Sequence, residues 1–474
     1  MKRKSYILAL DIGTSSTKAG LFDQDYNLIV TDKVEYVYET TGMKVQIDPE
    51  KIWKAFLEVA GKLREYANRI ELVVQCVLSP SLIPMDETGN ALYPSILHWD
   101  RRSAEQGRKA LALIGKERFL NLAGNLPYPG GISLTGLLWL KEKETEIFKK
   151  AFKFGHMNTF FVRRLTGQWS IDPTNASLTG LYNTVAYGDW IEEFCKEFEI
   201  PVEKLPPVIP CLKIVGSVTR EVADETGIRS GTPVLMGSND TSSAALGAGV
   251  LESGQILNIS GSGELLAVCL DRPIPDEKYY LRTHPLPGRW LLFDLTLAGF
   301  ALEWFRLQFC REMGEEEFYQ SYLQDILKEN RKTPVRFHPY LAGDRTSLKQ
   351  KKASFSGLTL SATRDDCLYA IMEAVIHRTE RLLNKVKKAI ELQKRIHLTG
   401  GAASQALMDY KKRRFPEYEI VAMEDCALHG CAFMARKVLE GATKSETRNS
   451  KLETNPNDQN SIDQNKSQKE LPES

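Results

Sequence analysis

The chain has 474 residues, with 62 lysine and arginine residues against 61 aspartate and glutamate residues, and a formal net charge of +1. A chain of this length normally folds as two or three domains, and its 42% hydrophobic content is ordinary for a globular protein. Because nucleic-acid-binding proteins usually carry a large basic surplus, the balanced charge argues against that class. No apolar run reaches the length of about 18 residues that a membrane-spanning helix needs.

The N-terminus is basic and then apolar, like a secretory leader, but Asp11 interrupts the apolar run after Tyr6–Leu10. A leader needs an apolar stretch of about 7–15 residues, so this segment is better interpreted as a buried strand. The eight cysteines lie far apart and none forms a CxxC pair. We therefore expect reduced thiols in a cytoplasmic protein.

The first predicted element is a pair of strands joined by a turn of glycine and hydroxyl residues. Tyr6–Leu10 and Lys18–Asp23 flank the sequence Gly-Thr-Ser-Ser-Thr at 13–17. Gly13 allows the backbone to approach a ligand closely, while Thr14 and Ser15 offer hydroxyl donors beside backbone N–H groups. Such turns form concave anion sites.

Charged residues stand on both sides of this turn. Asp11, at the end of the first strand, could hold a metal-bound water, and Lys18 could neutralise phosphate charge. An ordinary surface hairpin uses the same residue types, so this turn alone leaves the structural and the functional interpretations open.

Downstream, helix and strand signals alternate. Asp48, Pro49 and Glu50 supply an N-cap, a first-turn proline and a first-turn acid, so a helix is expected to follow them. Spacing and apolar content predict further elements, which are a strand at 70–78, helices at 135–143 and 146–154, a strand at 232–237, a long amphipathic helix through 368–390, a strand at 396–398 and a helix from about 404.

The segment 255–268 repeats the opening design of strand, Gly/Ser turn and strand, with Ser-Gly-Ser-Gly at 260–263. Two hairpins of one type, half a chain apart, indicate a duplicated domain with a cleft between the copies. We place the N-terminal domain at 1–247 and the C-terminal domain at 248–442. Residues 443–474 are polar and have almost no large apolar side chains, so a disordered tail is expected there.

Three further patterns could carry chemistry. Asp240 stands where a strand meets a helix of small residues, and spacing alone slightly favours an N-cap role over a catalytic base. Gly400, Gly401 and Ser404 lie between a strand and a helix, where a flat adenine could rest on the backbone. Asp100 and Arg102 could bind sugar hydroxyls, although a solvated salt-bridged loop is the commoner outcome.

From Tyr6 to about Gly441, the motifs resemble those of the FGGY family of carbohydrate kinases and occur in that family's order. YILALDIGTSSTKAGLFD resembles its first phosphate motif, and LYPSILHWDRRS resembles its Asp-x-Arg segment. GISLTGLLWLKEK and FSGLTLSATRDDCLYAIMEA are similar to its two signatures. TPVLMGSNDTSSAALGAG resembles its catalytic segment, LNISGSG its second phosphate motif and IHLTGGAASQALM its adenosine motif.

This resemblance implies an α/β fold of two RNase-H-like domains of the actin type, with ATP and Mg²⁺ in the cleft. It makes Asp240 the catalytic base, and it implies that Asp11 and Asp240 hold Mg²⁺ through water. The implied ATP and phosphate residues are Gly13, Thr14, Ser15, Lys18, Gly261, Ser262, Gly400, Gly401 and Ser404. The implied substrate residues are Ser79, Asp100, Arg102 and Asp240.

The function predicted from this resemblance is ATP-dependent phosphorylation of a primary hydroxyl on a small ketose or polyol, with a pentulose such as xylulose or ribulose as the main candidate. Xylulokinases carry Gln-Met-His-Gly where this chain has Leu-Ser-Pro-Ser at 78–81. Sedoheptulose, glycerol, erythritol and gluconate therefore stay open as substrates. A sugar-independent actin-like ATPase switch and a sugar-binding pseudokinase are the alternatives of another class. No nucleic-acid or membrane partner is expected. The resemblance also implies a homodimer, which is common in that family.

Overall fold

The structure is a computed structural model that describes residues 5–261, 263–329, 331–401 and 405–453, with side chains described as far as Gly441. The strands in these residues are β1 (Tyr6–Ile12), β2 (Ser16–Phe22), β3 (Leu28–Glu35), β4 (Glu39–Thr41), β5 (Lys44–Ile47), β6 (Ile70–Val77), β7 (Ser81–Met85), β8 (Ser95–Leu97), β9 (Lys153–Gly155), β10 (Ile214–Ser217), β11 (Pro233–Asn239), β12 (Ile256–Ser260), β13 (Glu264–Leu270), β14 (Tyr280–Thr283), β15 (Trp290–Thr296), β16 (Arg336–His338), β17 (Ser354–Ser356), β18 (Arg395–Thr399) and β19 (Glu419–Ala422).

The α-helices are α1 (Pro49–Lys62), α2 (Arg64–Ala67), α3 (Ala104–Ile114), α4 (Lys116–Arg118), α5 (Ser133–Lys143), α6 (Thr145–Lys150), α7 (Met157–Thr166), α8 (Pro173–Ala176), α9 (Glu192–Glu197), α10 (Arg220–Thr226), α11 (Asp240–Gly247), α12 (Ala298–Phe309), α13 (Glu315–Glu317), α14 (Leu323–Lys328), α15 (Arg364–Val386), α16 (Gln405–Arg414) and α17 (Cys426–Glu453). Short helical turns of other types cover Phe119–Ala123, Val202–Lys204 and Phe318–Tyr322. None of the described helices combines the length and the apolarity that crossing a membrane requires.

The N-terminal half is built on a six-stranded sheet with the order β10-β11-β6-β1-β2-β3. β1 pairs with β2 in antiparallel fashion across the predicted turn, and β1, β6 and β11 run parallel. The apolar run of β1 is continuous because both faces of the strand are covered. Leu8 and Leu10 pack in the same cluster as residues of α1 and α7, while Ile7 and Ala9 pack with residues of α17.

The C-terminal half repeats this design in a sheet with the order β14-β15-β13-β12-β18-β19. Strands β15, β13 and β12 are antiparallel and are continued by parallel β18 and β19, as β3, β2 and β1 are continued by β6 and β11. The second hairpin is thus the counterpart of the first. The repetition of strand, turn and strand in the sequence reflects this shared topology.

Most of the predicted elements are present, with one correction. The predicted helix α1 begins at Pro49, and Asp48 caps it by accepting a hydrogen bond from the backbone N–H of Glu50 at 3.0 Å. The helix predicted at 146–154 is wrong beyond Lys150, because Lys153–Gly155 forms β9 and pairs with β7. That pairing is a long-range contact, which local helix propensity does not report.

Two helices, one after the last parallel strand of each half, pack closely against each other. α11 follows β11 and α17 follows β19, so the two helices occupy equivalent places in the two copies. A Cβ atom added to Gly247 would lie 1.9 Å from the carbonyl oxygen of Cys426, and one added to Gly430 would lie 1.8 Å from that of Ser243. Ser243 Oγ donates to the carbonyl of Ala427 at 2.8 Å. Only glycine permits this backbone approach.

The last helix belongs by its packing to the first sheet. Leu428, Cys431 and Met434 of α17 are buried in one cluster with Ile7 and Leu72 of the N-terminal sheet. The helix is assigned as far as Glu453, inside the region predicted as a polar tail, and 454–474 lie outside the described residues.

Candidate active site

Two carboxylates meet at the carboxyl ends of parallel strands. In the register of the sheet, Asp11 of β1 and Ser238 of β11 are both level with Cys76 of β6, which lies between them. Asp240 follows two residues after Ser238, at the start of α11. The carboxyl ends of parallel strands are where open α/β sheets bind their ligands. The sheet therefore brings together the two aspartates predicted as base and metal ligand.

Asp240 does not cap its helix, because its neighbour does. Asn239 is the N-cap of α11, and its Oδ1 accepts a hydrogen bond from the N–H of Ser242 at 2.9 Å. Asp240 Oδ1 accepts from Asn239 Nδ2 at 2.7 Å and from the Thr241 N–H at 2.6 Å. No hydrogen bond to Oδ2 is recorded from any described residue. The capping interpretation of Asp240 is thereby removed, and one carboxylate oxygen is left for chemistry.

A buried arginine from the other half reaches this base. Arg282 of β14 is 1% exposed and donates through Nη1 to Asn239 Oδ1. Burial lowers the pKa of Arg282 to about 9, and the Asp240 carboxylate opposes this shift. Burial raises the pKa of Asp240 above its ordinary value, while Arg282 acts in the opposite direction. A carboxylate with a raised pKa is better suited to accept a proton near neutral pH.

The second aspartate carries a larger perturbation. Burial and the nearby Asp240 carboxylate raise the pKa of Asp11 from 3.8 to about 7. Cys76 Sγ donates to Asp11 Oδ1 at 3.6 Å, and Lys18 also favours the ionised form. The nearby Asp240 carboxylate disfavours ionisation of Asp11, and a cation bound between them would favour the ionised form of both.

The first turn presents its hydroxyl groups freely. The Gly13 N–H donates to the carbonyl of Ser16 at 2.9 Å, which closes the turn, and Tyr36 Oη donates to the Gly13 carbonyl at 2.7 Å. Within the described residues, neither Thr14 nor Ser15 has a recorded side-chain hydrogen bond. Lys18 Nζ is held by Asp425 Oδ1 at 2.5 Å, just before α17.

The second turn lies against the Gly-Gly turn. A Cβ on Gly400, where φ is +108°, would lie 2.2 Å from the carbonyl oxygen of Ser260, so glycine is required for this approach. Gly401 faces open space, and the Gly261 N–H donates to the Gly263 carbonyl at 2.9 Å. These contacts bring together two of the predicted phosphate and adenosine motifs. The predicted Ser262 and Ser404 lie outside the described residues.

The side chains of Asp100 and Arg102 form a buried ion pair with each other. Arg102 donates to Asp100 through Nε at 2.8 Å and Nη2 at 2.7 Å, and both side chains are almost fully buried. Asp100 Oδ2 also accepts from the Val45 N–H at 2.7 Å, and Arg102 Nη2 donates to Gln46 Oε1 at 2.7 Å. These contacts tie the loop after β8 to β5, so the side chains predicted to bind the sugar are used in holding this loop.

Sequence analysis missed a group of buried polar side chains beside this pair. Arg345 stacks on Trp99 with its guanidinium carbon 4.8 Å from the ring centroid, and the rings of His98 and Trp99 lie 4.7 Å apart. Burial and the guanidinium groups of Arg345 and Arg282 hold the pKa of His98 well below its ordinary value. We call His98, Trp99, Arg282 and Arg345 the buried polar pocket.

Several atoms of this pocket lack a protein partner. His98 Nδ1, Trp99 Nε1, Arg345 Nε and Nη1, and Arg282 Nε are buried without a recorded hydrogen bond, and so is Ser79 Oγ, two residues after β6. Buried donors without partners are rare and costly, so several together indicate a ligand that completes them. The sequence HWDRR at 98–102 indicated this region, but the residues predicted from it were Asp100 and Arg102, and not His98 or Trp99.

Comparison with known proteins agrees with this geometry. A model of the FGGY family of carbohydrate kinases, N-terminal domain, matches residues 6–247. The chain is 27% identical over 437 residues to a gluconokinase of Bacillus subtilis (strain 168), covering 89% of this chain and 84% of that protein. It is 26% identical over 410 residues to a xylulose kinase of Staphylococcus xylosus, covering 84% of this chain and 83% of that protein.

Solved structures have the same fold. A gluconate kinase from Lactobacillus acidophilus superposes with a TM-score of 0.82 at 23% identity, covering 92% of this chain and 90% of that one. A ligand-bound xylulose kinase from the same species gives a TM-score of 0.81 with the same identity and coverage. These similarities show the two-domain, actin-type α/β fold that the sequence predicted.

Because the family match covers more than half of its length, the chain belongs to the FGGY family of carbohydrate kinases. It is therefore an enzyme that transfers phosphate from ATP to a sugar hydroxyl, and the predicted reaction class is confirmed.

Proposed function

We propose that the protein phosphorylates a pentulose such as xylulose or ribulose, with Asp240 as the catalytic base. The observation that carries this proposal is the placement of Asp11 and Asp240 on either side of β6, at the carboxyl ends of β1 and β11. The hydroxyl-rich turn after β1 lies at the same end of the sheet. Relatives named xylulose kinases support the choice of sugar.

In the proposed reaction, Asp240 Oδ2 accepts the proton of a primary hydroxyl, and the hydroxyl oxygen attacks the γ-phosphorus of ATP. The bond from that phosphorus to the bridging oxygen breaks, and ADP leaves with the electron pair. Asn239 and the Thr241 N–H hold Oδ1, which fixes the direction of Oδ2. Because the transition state of phosphoryl transfer is loose, positioning of the carboxylate matters more than its basicity.

The residues present fit a magnesium ion. Asp11 and Asp240 supply the oxygen ligands that Mg²⁺ prefers, and burial together with the nearby Asp240 carboxylate raises the pKa of Asp11, so a cation beside them would favour the ionised form. Asp11 and Asp240 would hold the ion through water. When bound, Mg²⁺ neutralises phosphate charge.

We further propose that the two turns bind the phosphates from opposite sides. Thr14 and Ser15 supply free hydroxyl groups in the first turn, and Gly261 and the predicted Ser262 belong to the second. Lys18 reaches the same region and would exchange Asp425 for a phosphate oxygen. Gly401, open to solvent, is positioned for the adenine, while Gly400 holds the two turns together.

A sugar acid such as gluconate is the second candidate substrate, on a separate observation. Arg345 and Arg282 together leave three guanidinium nitrogens buried and without protein partners among the described residues. A carboxylate accepts charge-assisted hydrogen bonds from guanidinium groups, and these are stronger than the bonds that the neutral hydroxyl groups of a pentulose would accept. Relatives named gluconokinases are consistent with this candidate.

The test is ADP release from the purified protein with ATP and Mg²⁺, offered xylulose, ribulose, sedoheptulose, glycerol, erythritol and gluconate in turn. Turnover that rises with one pentulose supports the main proposal, and turnover that rises with gluconate alone supports the second. For the second outcome, Arg345→Gln should raise the KM for gluconate at least tenfold. Steady turnover without any sugar would contradict both.

A further inference from the structure

A cavity with a volume of about 700 Å³ opens in the C-terminal half. It lies between the C-terminal part of α15, the strand β15 and the segment from Tyr340 to Lys351. Two of its lining residues are aspartates and six are basic, namely Lys278, Lys351, Arg378, Arg381, Lys385 and Lys388. We call it the basic cavity. No residue assigned above to the sugar or the nucleotide lines it.

The two acids of the basic cavity are already occupied. Asp294 accepts from Arg378 through both carboxylate oxygens, at 2.6 and 2.7 Å, and both side chains are 10% exposed. Asp344 accepts from Lys351 Nζ at 2.6 Å. These pairs fix two of the cations in place and leave no carboxylate oxygen unpaired for the remaining four.

Of those four, two have no acidic partner. Lys385 pairs at 2.6 Å with Asp276, which lies outside the lining, and Lys278 pairs at 3.2 Å with the partly exposed Glu277. For Arg381 and Lys388, no ion pair is recorded with any residue that the structure describes. The cavity therefore keeps a positive surplus that the described protein groups do not neutralise.

The spacing of the cations strengthens this point. Arg378, Arg381, Lys385 and Lys388 follow each other at intervals of three and four residues, which places them on one face of α15 and its following turn. Like charges at this spacing repel and destabilise a helix, and the ion pairs with Asp294 and Asp276 offset this repulsion for only two of the four. Cations in a last turn are favoured by the helix dipole, but Arg378 and Arg381 precede that turn. A bound anion would relieve the repulsion.

We propose that the basic cavity binds a small polyanion with two or more phosphate-type groups. Arginine binds phosphate oxygens in bidentate fashion, and the Ser347 hydroxyl and the Asn384 amide add neutral donors. The volume is within the range of small-molecule sites. Arg381 and Lys388 are seven residues apart, about 10 Å along a helix, so one phosphate group cannot serve both as well as two can.

The cavity shares a backbone segment with the buried polar pocket. Asp344 lines the cavity, while Arg345, the next residue, stacks on Trp99. Arg101 holds this segment by donating to the carbonyl of Asp344 and to that of Ser347, each at 2.8 Å. A ligand in the basic cavity would therefore lie beside Asp344, the residue that precedes Arg345 of the buried polar pocket.

Isothermal titration calorimetry with inorganic tripolyphosphate tests this proposal. The titration uses the full chain without nucleotide, because ADP carries two phosphate groups and belongs to the proposed class of ligand, and it is made in EDTA so that the probe cannot chelate Mg²⁺. We expect one site per chain that is weakened at least tenfold in the double variant Arg381→Gln, Lys388→Gln, whereas binding at the nucleotide site should not change. The matched control is Lys54→Gln, Lys150→Gln, which removes the same charge from exposed lysines of the N-terminal half.

Three outcomes would overturn the proposal. They are no heat of binding, an unchanged affinity at every site in the cavity variant, and equal weakening in both double variants, which would indicate only the net charge. Arg381 and Lys388 are exposed, so their replacement is expected to leave folding intact, and a thermal melt checks this directly. Because kinase activity is not measured, the result does not depend on the proposed function.

Discussion

Replacing Asp11 with asparagine should stabilise the ligand-free protein above neutral pH while removing a proposed metal ligand. The pKa of this carboxyl rises from 3.8 to about 7 because of burial and the nearby Asp240 carboxylate. The folded protein therefore holds the proton more tightly than the unfolded chain. The corresponding stability is complete below pH 3.8 and is lost as the pH rises toward 7.

The magnitude follows from the shift. At about 1.36 kcal/mol for each pKa unit, a rise of roughly three units corresponds to about 4 kcal/mol at pH 8 and about 2 kcal/mol at pH 5. Because Asp11 is only partly buried, water reduces this effect, and about 4 kcal/mol is an upper value. Asp11→Asn has no ionised state, so its advantage over the wild type should grow across this range.

Denaturant unfolding at pH 5 and pH 8, in EDTA and without nucleotide, measures this difference. Asp25→Asn, which replaces an exposed carboxylate of the same half, is the matched control and should show no such trend. A variant no more stable than the wild type at pH 8 would refute the reasoning. An advantage of equal size at both pH values would do so too, since it would arise from packing and not from charge.

Other substitutions test the base, the crossing helices and the cap. Asp240→Asn should lower kcat by about 10²–10⁴-fold while calorimetry still detects ADP binding, and near-normal turnover would remove the assignment as base. Gly430→Ala should lower the free energy of unfolding by about 3 kcal/mol or more, because its Cβ would overlap the carbonyl of Ser243, and a lower melting temperature would show this. Gly441→Ala, in open space on the same helix, should be neutral or stabilising by up to about 1 kcal/mol. Asn239→Ala removes the cap of α11 and a donor to Asp240, so about 1 kcal/mol of stability and much of kcat should be lost, as a paired melt and rate assay would show.

The hairpins, the first helix and the two-domain fold could be predicted because their signals are local. A strand of continuous apolar residues, a Gly/hydroxyl turn and an Asp-Pro-Glu start lie within a few residues of each other. The strand Lys153–Gly155 was missed because its pairing with β7 joins segments about seventy residues apart. Such pairing leaves little trace in local propensity.

The candidate site, too, could be predicted only where its signals are local. Asp240 and Asn239 are equally good capping residues by type, and only the structure shows which one caps and which one is free. Arg282 and Arg345 are distant from Asp240 in sequence, and no short motif joins them to it. Their importance appears only when burial and unpartnered donors are known.

The packing of α17 on the first sheet also constrains how the protein can be made. The apolar face formed by Ile7, Ala9 and Leu72 is covered by residues of α17. On the ribosome, residues 248–425 must be synthesised before that helix appears, which takes about 10–40 s at 5–20 residues per second. Throughout that interval the nascent N-terminal half exposes an uncovered apolar sheet face, which is a ready site for a chaperone and the step at which misfolding during synthesis is expected.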